Sequence, residues 1–261
     1  MTAARYALGL LLALSGFAAS AQGLDEAREL YRQGSFIEAA EAARALATPP
    51  ALALAARALL VEAAYVAPPD EARALLVRAN GLAEAALARN PDTIEALLQK
   101  AVAQGYLARL EGPVAAHFAG RASAARRLID HALALAPDNP WAHALLGGWH
   151  GEIICRAGRF FGKTFYGASQ KEMRRQFALA RRLLPGNPVL SFEYAKALIC
   201  RRAAKNRAEA RAALAVALAA RPQNAFQALV ITRARRLDAA LAAPGARRVR
   251  AVLRQIEPFL P

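Results

Sequence analysis

The sequence contains few residues that could act in catalysis or metal binding. Two of its four histidines lie close together in the chain. His143 and His150 are seven residues apart, which places them on one helical face, and Glu152 follows them. A metal site or an acid–base pair would need further ligands or a nucleophile beside them, and the sequence shows none. We therefore expect no enzymatic activity, no cofactor and no metal site. His150 is interpreted as a packed structural residue, with a ligand contact or a catalytic role as the alternatives.

Cys155 and Cys200 are the only two cysteines of the sequence. An even pair in an oxidising compartment can form a disulfide, but the bond needs a Cα–Cα distance below about 7 Å. Sequence spacing does not establish that distance. A disulfide and two buried free thiols therefore both stay open as interpretations.

An aromatic and glycine-rich segment, RFFGKTFYG, spans residues 159–167. Its rings either pack under a long loop or project as an apolar surface with cations at its rim, suited to a partner protein or a lipid surface. The residues of this predicted projecting hairpin are Phe160, Phe161, Lys163, Phe165 and Tyr166.

The charge of the chain is unevenly distributed, although the formal net charge is +15. Residues 22–150 hold 14 acids and 12 bases, whereas residues 151–261 hold 6 acids and 22 bases. This C-terminal half would attract an anionic envelope lipid or polymer, with Arg247, Arg248 and Arg250 as the contacts. The alternative is that these arginines only solvate the outer face of a helix that caps the fold.

The elements that must position these residues are helices with a repeated spacing. Four segments carry a small or apolar residue at the first, fifth and eighth positions and a proline at the thirteenth. Steps of four and three keep such side chains on one helical face, and a proline ends the helix before it. The four sets are Ala79, Ala83, Ala86, Pro91; Ala125, Ile129, Ala132, Pro137; Met173, Phe177, Ala180, Pro185; and Ala210, Leu214, Ala217, Pro222. Because the alternation typical of strands is absent, the sequence predicts an all-α protein.

On these residues the chain resembles the tetratricopeptide repeat (TPR) family, in which paired helices stack into a superhelix. The resemblance implies one α-α solenoid of about four to five helical hairpins over residues 22–261. A weak first repeat covers 24–50, hairpins cover 51–91, 92–137, 138–185 and 186–222, and capping helices cover 223–261. The prolines are 46, 48 and 37 residues apart, against about 34 in the family. Two hairpins are therefore expected to be lengthened, at residues 105–120 and 158–169.

The central region carries a narrower resemblance. Leu146-Gly147-Gly148-Trp149-His150 is followed by the aromatic segment and then by a predicted helix from Gln170 to Leu184. This region resembles the regulator-of-microtubule-dynamics group of TPR proteins, which has bacterial members. It is similar, more distantly, to the T-component of tripartite periplasmic transporters. The resemblance implies an architecture and not an activity, because a microtubule role does not transfer to an exported bacterial protein.

The first 21 residues have the pattern of a secretory signal peptide. Arg5 precedes an uncharged apolar run from Ala7 to Ala19, and residues 19–21 form a small-x-small cleavage site. The run is shorter than the roughly 20 residues that a membrane-spanning helix needs. We therefore expect a periplasmic mature chain that has no transmembrane span and no nucleic-acid partner.

These features predict an exported, non-enzymatic TPR-like scaffold or adaptor that binds a protein or peptide partner in its superhelical groove. Its basic C-terminal half would bring it to the cell envelope. The alternative function is a periplasmic small-molecule carrier or a transporter accessory. The residues expected to line the groove are Trp141, Leu145, Trp149, His150, Glu152, Arg156, Glu193 and Lys196.

Overall fold

The computed structural model describes residues 21–243, 245–257 and 259, and the regular elements in these ranges are all helical. The predicted signal peptide, apart from its last residue, lies outside the described residues. The helices are α1 (21–33), α2 (Phe36–Leu46), α3 (Pro49–Val61) with a π-helical turn (Glu62–Val66), α4 (Pro69–Arg89), α5 (Ile94–Glu111), α6 (Pro113–Phe118), α7 (Arg121–Leu135), α8 (Pro140–Tyr166), α9 (Gln170–Leu183), α10 (Pro188–Ala219), α11 (Ala225–Ala242) and α12 (Ala246–Ile256). Consecutive helices pack in pairs, which confirms the predicted all-α solenoid.

The repeated spacing lies on the buried faces of these helices. The small and apolar residues of all four sets are buried, and Ala86, Ala132 and Ala180 have no exposed surface. Each of the helices α4, α7, α9 and α10 ends two or three residues before the proline of its set. The periodicity therefore identified both the buried face and the end of each helix.

Small residues bring α8 close to two neighbouring helices. A Cβ on Gly147 would lie 2.8 Å from the ring of Phe177 in α9, and a Cβ on Gly151 would lie 3.1 Å from Cβ of Ala197 in α10. Both distances are tighter than ordinary van der Waals contact, so a larger side chain would push the helices apart. The close contact at Gly151 thus holds the charged residues that follow it in α8 against α10.

Two of the long helices change direction along their length. Gly158, with φ 83° and ψ 168°, breaks α8 before the aromatic segment. In α10, Asn206 Nδ2 donates to the carbonyl oxygen of Leu198 at 2.6 Å, and Tyr194 Oη donates to a carboxylate oxygen of Glu209. A straight helix would place Tyr194 and Glu209 about 22 Å apart, at 1.5 Å per residue. The span assigned to α10 therefore folds back on itself as a helical hairpin.

The two lengthened hairpins meet at one edge of the array. The first insertion contains α6 between Gly112 and Gly120, both at positive φ, and the second contains the part of α8 after Gly158. His117 Nδ1 and Tyr166 Oη lie 2.5 Å apart and join the two insertions. They project from the same edge, as their positions in neighbouring hairpins predict.

The array closes on itself through α11. Tyr65, in the π-helical turn, packs edge-on against Phe226 of α11 with ring centroids 5.2 Å apart. Arg233 of α11 donates to the carbonyl oxygens of Ala64 at 2.7 Å and Ile256 at 2.8 Å. Ala64 lies in the π-helical turn and Ile256 is the last residue of α12, where a cation also complements the helix dipole. The last helices therefore contact the first hairpins.

One stretch, Pro49–Val66, is long and apolar enough by composition to cross a membrane, with a mean hydropathy of 1.3. Of this stretch, 67% is buried inside the protein. It packs against α2, α4 and α5. Its apolar character is therefore accounted for by its position as a core helix.

Candidate functional site: a charge cluster inside the array

Six charged side chains from separate hairpins meet inside the closed array, and we call this set the interior charge cluster. Helices α5, α8 and α10 and the segment after α12 each contribute to it. Its members are Arg109, Glu152, Arg156, Glu193, Lys196 and Glu257. The cluster therefore joins three helices of successive hairpins to the C-terminal segment.

Arg109, in the last turns of α5, binds two carboxylates at once. Its Nε lies 3.0 Å from Oε1 of Glu152 and its Nη2 lies 3.1 Å from Oε2 of the same residue. Its Nη1 donates to Oε2 of Glu257 at 2.8 Å. Arg156, one turn after Glu152, donates to Glu152 as well. The planar guanidinium matches the geometry of both carboxylates, which a lysine at position 109 would not do.

Lys196 of α10 binds the other oxygen of Glu257. Its Nζ lies 2.6 Å from Oε1 of Glu257 and 2.9 Å from Oε1 of Glu193, and 5.0 Å from the ring centroid of Phe192. Each oxygen of Glu257 is therefore bound by a different cation, one from α5 and one from α10. A single carboxylate from the C-terminal segment ties two hairpins together.

Burial and charge together fix the protonation states in the cluster. The side chains of Arg109, Lys196 and Glu257 are only 14%, 9% and 10% exposed. Burial would raise the pKa of Glu257, but Lys196 and Arg109 outweigh it and lower that pKa to about 2. Burial would lower the pKa values of Arg109 and Lys196, but the carboxylates around them outweigh it and raise both. All three groups therefore stay charged at neutral pH.

An aromatic surface flanks the cluster. Phe259, two residues after Glu257, packs edge-on against Tyr106 with ring centroids 5.4 Å apart. The guanidinium of Arg109 lies 5.5 Å from the centroid of the same tyrosine ring. Burial raises the pKa of Tyr106, so its phenol stays neutral. The C-terminal segment is thus held by a carboxylate and an aromatic ring that are two residues apart.

The eight residues predicted to line a groove lie in different parts of the structure. Glu152, Arg156, Glu193 and Lys196 belong to the interior charge cluster. Trp141 is exposed and Leu145 is half-buried, on a part of α8 away from the cluster members that follow in the chain.

Trp149 and His150 are buried between helices and do not line an open surface. Trp149 Nε1 donates to the carbonyl oxygen of Ala122 at 2.8 Å, and Nδ1 of His150 accepts from the backbone N–H of Ser169 at 3.4 Å. Burial, with a smaller effect of the nearby Arg126, lowers the pKa of His150 and keeps it neutral. The predicted pair therefore packs α8 against α7 and α9.

His143 is also engaged in structural contacts. Its Nδ1 lies 2.6 Å from Oε1 of Gln176, and its Nε2 lies 2.8 Å from the carbonyl oxygen of Pro137. In the part of the chain that the structure describes, no group of three or more His, Cys, Asp or Glu residues could hold a metal ion.

Cys155 and Cys200 form a disulfide between α8 and α10, with a Cα–Cα distance of 5.9 Å. The cavity beside it, lined by Gly151 and Met173 among others, has a volume of about 10 Å³. That is near the lower limit for a single water molecule. The disulfide holds the part of α8 that carries Glu152 and Arg156 against the part of α10 that carries Lys196.

The insertions expose large apolar side chains at the edge where they meet. Phe160, Phe161 and Phe165 are 76%, 57% and 63% exposed, and Val114 and Phe118 of α6 are 70% and 84% exposed. The rings of Phe161 and Phe165 stack with centroids 5.6 Å apart, and Phe160 packs edge-on against Phe161. We call these five side chains the aromatic edge. The exposed Lys163 lies within the same segment, and Tyr166 is half-buried at its base.

The basic C-terminal half divides into structural and exposed arginines. Arg207 donates from Nη1 to the carbonyl oxygens of Leu241 and Ala243, both at 2.6 Å, and Arg233 binds two carbonyls as described above. The predicted anionic-surface contacts in α12, Arg247, Arg248 and Arg250, are exposed. Residues 151–261, with 22 bases and 6 acids, have a net charge of +16. Part of this positive charge therefore stabilises helix ends.

Sequence reasoning missed Arg109 and Glu257, the two residues that link the cluster across 148 positions. Arg109 lies within the first insertion, where the repeated spacing gives no register. Glu257 is the only acid after Asp238. A single acid in an otherwise basic segment was the signal that could have identified it.

A family model described as regulator of microtubule dynamics protein 1-3 matches residues 23–238, from α1 into α11. A comparison with curated proteins finds no match. The matched range contains every member of the interior charge cluster except Glu257, and it contains both insertions. On this match, the chain belongs to the regulator of microtubule dynamics protein 1-3 family.

Proposed function

We propose that this chain is an exported, non-enzymatic scaffold or adaptor of the TPR type that binds an extended protein or peptide segment inside its helical array. The observation that carries the proposal is the contact of the interior charge cluster with Glu257 and Phe259. Here the array already holds a peptide segment through side chains of α5 and α10. Repeat arrays bind extended peptides through such side-chain contacts along an inner surface.

The chemistry of the cluster favours binding over catalysis. A general acid or base works best when its pKa lies near the operating pH. The pKa of Glu257 is about 2, and the pKa values of Arg109 and Lys196 are raised. These groups therefore keep their charges at neutral pH, which suits them to recognise an oppositely charged side chain.

Two features support export to the periplasm. Residues 1–21 have the pattern of a cleavable signal peptide, and disulfides such as Cys155–Cys200 persist in oxidising compartments. Expression of the full chain should give a periplasmic product that begins near Gln22. An unprocessed product in the cytosol would contradict this part of the proposal.

A second contact, with an anionic lipid or polymer of the cell envelope, is favoured by the aromatic edge and the exposed arginines of α12. Contiguous exposed apolar side chains mark interaction sites on soluble proteins. Lys163 adds a cation beside the rings, a combination suited to an anionic lipid surface.

The alternative function as a small-molecule carrier has less support. Ligand pockets enclose about 300–1,000 Å³. The cavity beside the disulfide has a volume of about 10 Å³, so it has no room for a metabolite.

Selection from a displayed library of random peptides tests the proposed binding function. We expect selected peptides that bind the full chain and lose about tenfold in affinity, or about 1.4 kcal/mol, against Lys196→Met. The matched control is Lys171→Met on the exposed face of α9, which should bind as the wild type does. Peptides that bind Lys196→Met undiminished would place the site elsewhere. A library that yields no binder to the folded chain would contradict peptide binding.

A further inference from the structure

We infer that α12, together with Glu257 and Phe259, acts as a built-in ligand of the array, and that the external partner is a peptide with a carboxylate followed two residues later by an aromatic ring. Such a peptide would replace Glu257 and Phe259 at the interior charge cluster. The inference rests on the proposed function and names the class of peptide that the site accepts.

The cluster without Glu257 is complementary to an anion. Without Glu257, Arg109 and Lys196 would each lose a carboxylate that they bind, while Arg156 keeps its contact with Glu152. Arg109 and Lys196 are 14% and 9% exposed, so an incoming anion would interact with them at a low local dielectric. Their donor atoms already bind the two oxygens of one carboxylate, one donor to each oxygen. A side-chain carboxylate therefore fits this site.

The aromatic contact of the site lies directly beside the charged contacts. Tyr106 receives the ring of Phe259 edge-on at 5.4 Å, while the same tyrosine ring lies beside the guanidinium of Arg109. One turn of α5 thus supplies both a carboxylate contact and an aromatic contact. This pairing sets the spacing of two residues between the acid and the ring of the ligand.

The resident segment is bound in a conformation that an external peptide need not adopt. Phe259 has φ 63°, in the left-handed region that is unfavourable for a residue other than glycine. Gly245, with φ 136°, directly precedes α12. Because glycine tolerates a wide range of backbone angles, rotation at this residue would allow α12 to leave the array. A peptide that presents its ring from an extended backbone would avoid the strain at Phe259. Competition with the resident segment is therefore feasible.

The geometry of α12 fits a removable element. Its buried face consists of Val249, Leu253 and Ile256, at steps of four and three. Its outer face carries exposed arginines such as Arg247 and Arg254, which are suited to solvent when the helix leaves. The segment is held by one apolar stripe, by the contacts at Glu257 and Phe259, and by hydrogen bonds from α11, in which Arg233 donates to the carbonyl oxygen of Ile256 and Arg236 to Gln255.

A competition experiment tests the inference on the full chain. A fluorescent peptide with the sequence of residues 254–261, RQIEPFLP, serves as the probe, and anisotropy measures its binding. We expect the variant Glu257→Gln/Phe259→Ala to bind the probe about tenfold more tightly than the wild type, because a weakened competitor leaves more of the site available. The control variant Glu84→Gln/Phe118→Ala removes an exposed acid and an exposed ring outside the site, and should bind as the wild type does. Equal affinities of all three proteins would overturn the built-in ligand.

Hydrogen exchange of the wild-type chain gives a second measurement that needs no variant. At saturating unlabelled probe, amides of α12 should exchange faster, whereas those of α11 should not. A peptide in which the acid and the ring are replaced, RQIQPALP, should have no effect. Unchanged or slower exchange in α12 at saturation would overturn the inference.

The outcomes separate the two proposals. If library peptides bind in a manner that depends on Lys196 but the probe does not bind the weakened variant, the inferred peptide class is wrong and the proposed function stands. If neither library peptides nor the probe bind, both proposals are contradicted.

Discussion

The interior charge cluster and the aromatic edge invert the usual distribution of side chains in a soluble protein. Inside, Arg109, Lys196 and Glu257 are at most 14% exposed, whereas at the edge the phenylalanine side chains are at least 57% exposed. Both regions include residues of α8, one before Gly158 and one after it. The charges inside have partners from other hairpins, while the rings at the edge stack on one another and stay exposed. The first region therefore contributes to folding, and the second is suited to an external surface.

The interior charge cluster and the aromatic edge should contribute differently to the free energy of unfolding. Burying a charge costs several kcal/mol of hydration, which only well-placed partners offset, so loss of one partner leaves the others uncompensated. An exposed ring already contacts water in the folded state, and its removal changes stability little. Changes inside should reduce stability, and changes at the edge should reduce binding alone.

Arg109→Met should have the largest effect. The substitution leaves the buried Glu257 and the half-buried Glu152 near each other without the cation that binds both. We expect a loss of about 3–5 kcal/mol in the free energy of unfolding, measured with urea. Arg28→Met is the matched control, because its pair with Asp25 is exposed, and should cost at most about 1 kcal/mol. Equal losses in both variants would remove the distinction between buried and exposed charges.

Acid should destabilise the interior through Glu257. The pKa of this carboxyl is about 2 in the folded chain and about 4.3 when unfolded. Because the folded value is the lower one, its stabilisation is present above pH 4.3 and is lost as the pH falls toward 2. The loss should be on the order of a few kcal/mol. Unfolding curves at several pH values should show a flatter acid dependence for Glu257→Gln than for the wild type. The control Glu84→Gln, outside the cluster, should keep the wild-type dependence.

Ala180→Leu tests the helix pair that supports both regions. Ala180 of α9 is fully buried in the pair with α8, so a larger side chain overpacks the contact by about 1–3 kcal/mol. Ala178→Leu in the same helix is exposed and should leave the melting temperature nearly unchanged. Equal melting temperatures for the two variants would mean that the repeated spacing does not mark the tight contact.

The repeat register could be predicted because it depends on local information. A helix period and a following proline are properties of about thirteen residues, and they placed Ala86, Ala132 and Ala180 correctly at buried positions. The insertions were also predictable, since their glycines and the excess length between prolines are visible in the chain. Their exposure was not, because the same aromatic rings could have packed under a loop.

The interior charge cluster could not be predicted from local information. Arg109 and Glu257 meet only because the solenoid curves until α11 contacts the first hairpins, as the pair Tyr65–Phe226 shows. That curvature accumulates from many small angles between helices. Trp149 and His150 are packed between helices, in agreement with the interpretation of His150 as a structural residue, and their contact with a partner in a groove stays a prediction.

The smallest change in stability is expected at the aromatic edge. Phe161→Ala/Phe165→Ala should alter the free energy of unfolding by at most about 0.5 kcal/mol, because both rings are exposed. Binding to vesicles that contain anionic lipid should nevertheless fall at every salt concentration, because apolar contact is not screened by ions.

Replacing Arg247, Arg248 and Arg250 with glutamine should reduce vesicle binding mainly at low salt, whereas the phenylalanine variant should bind less at every salt concentration. These side chains are exposed, so their attraction to anionic lipid is screened beyond a Debye length of about 8 Å at physiological salt. Binding of this variant should be reduced at low salt and should approach that of the wild type as salt is added. Vesicle sedimentation with both variants and the wild type, at two salt concentrations, measures the difference. If the phenylalanine variant binds as the wild type does, the aromatic edge does not contact lipid. If the arginine variant binds as the wild type does at low salt, these three arginines do not contact lipid.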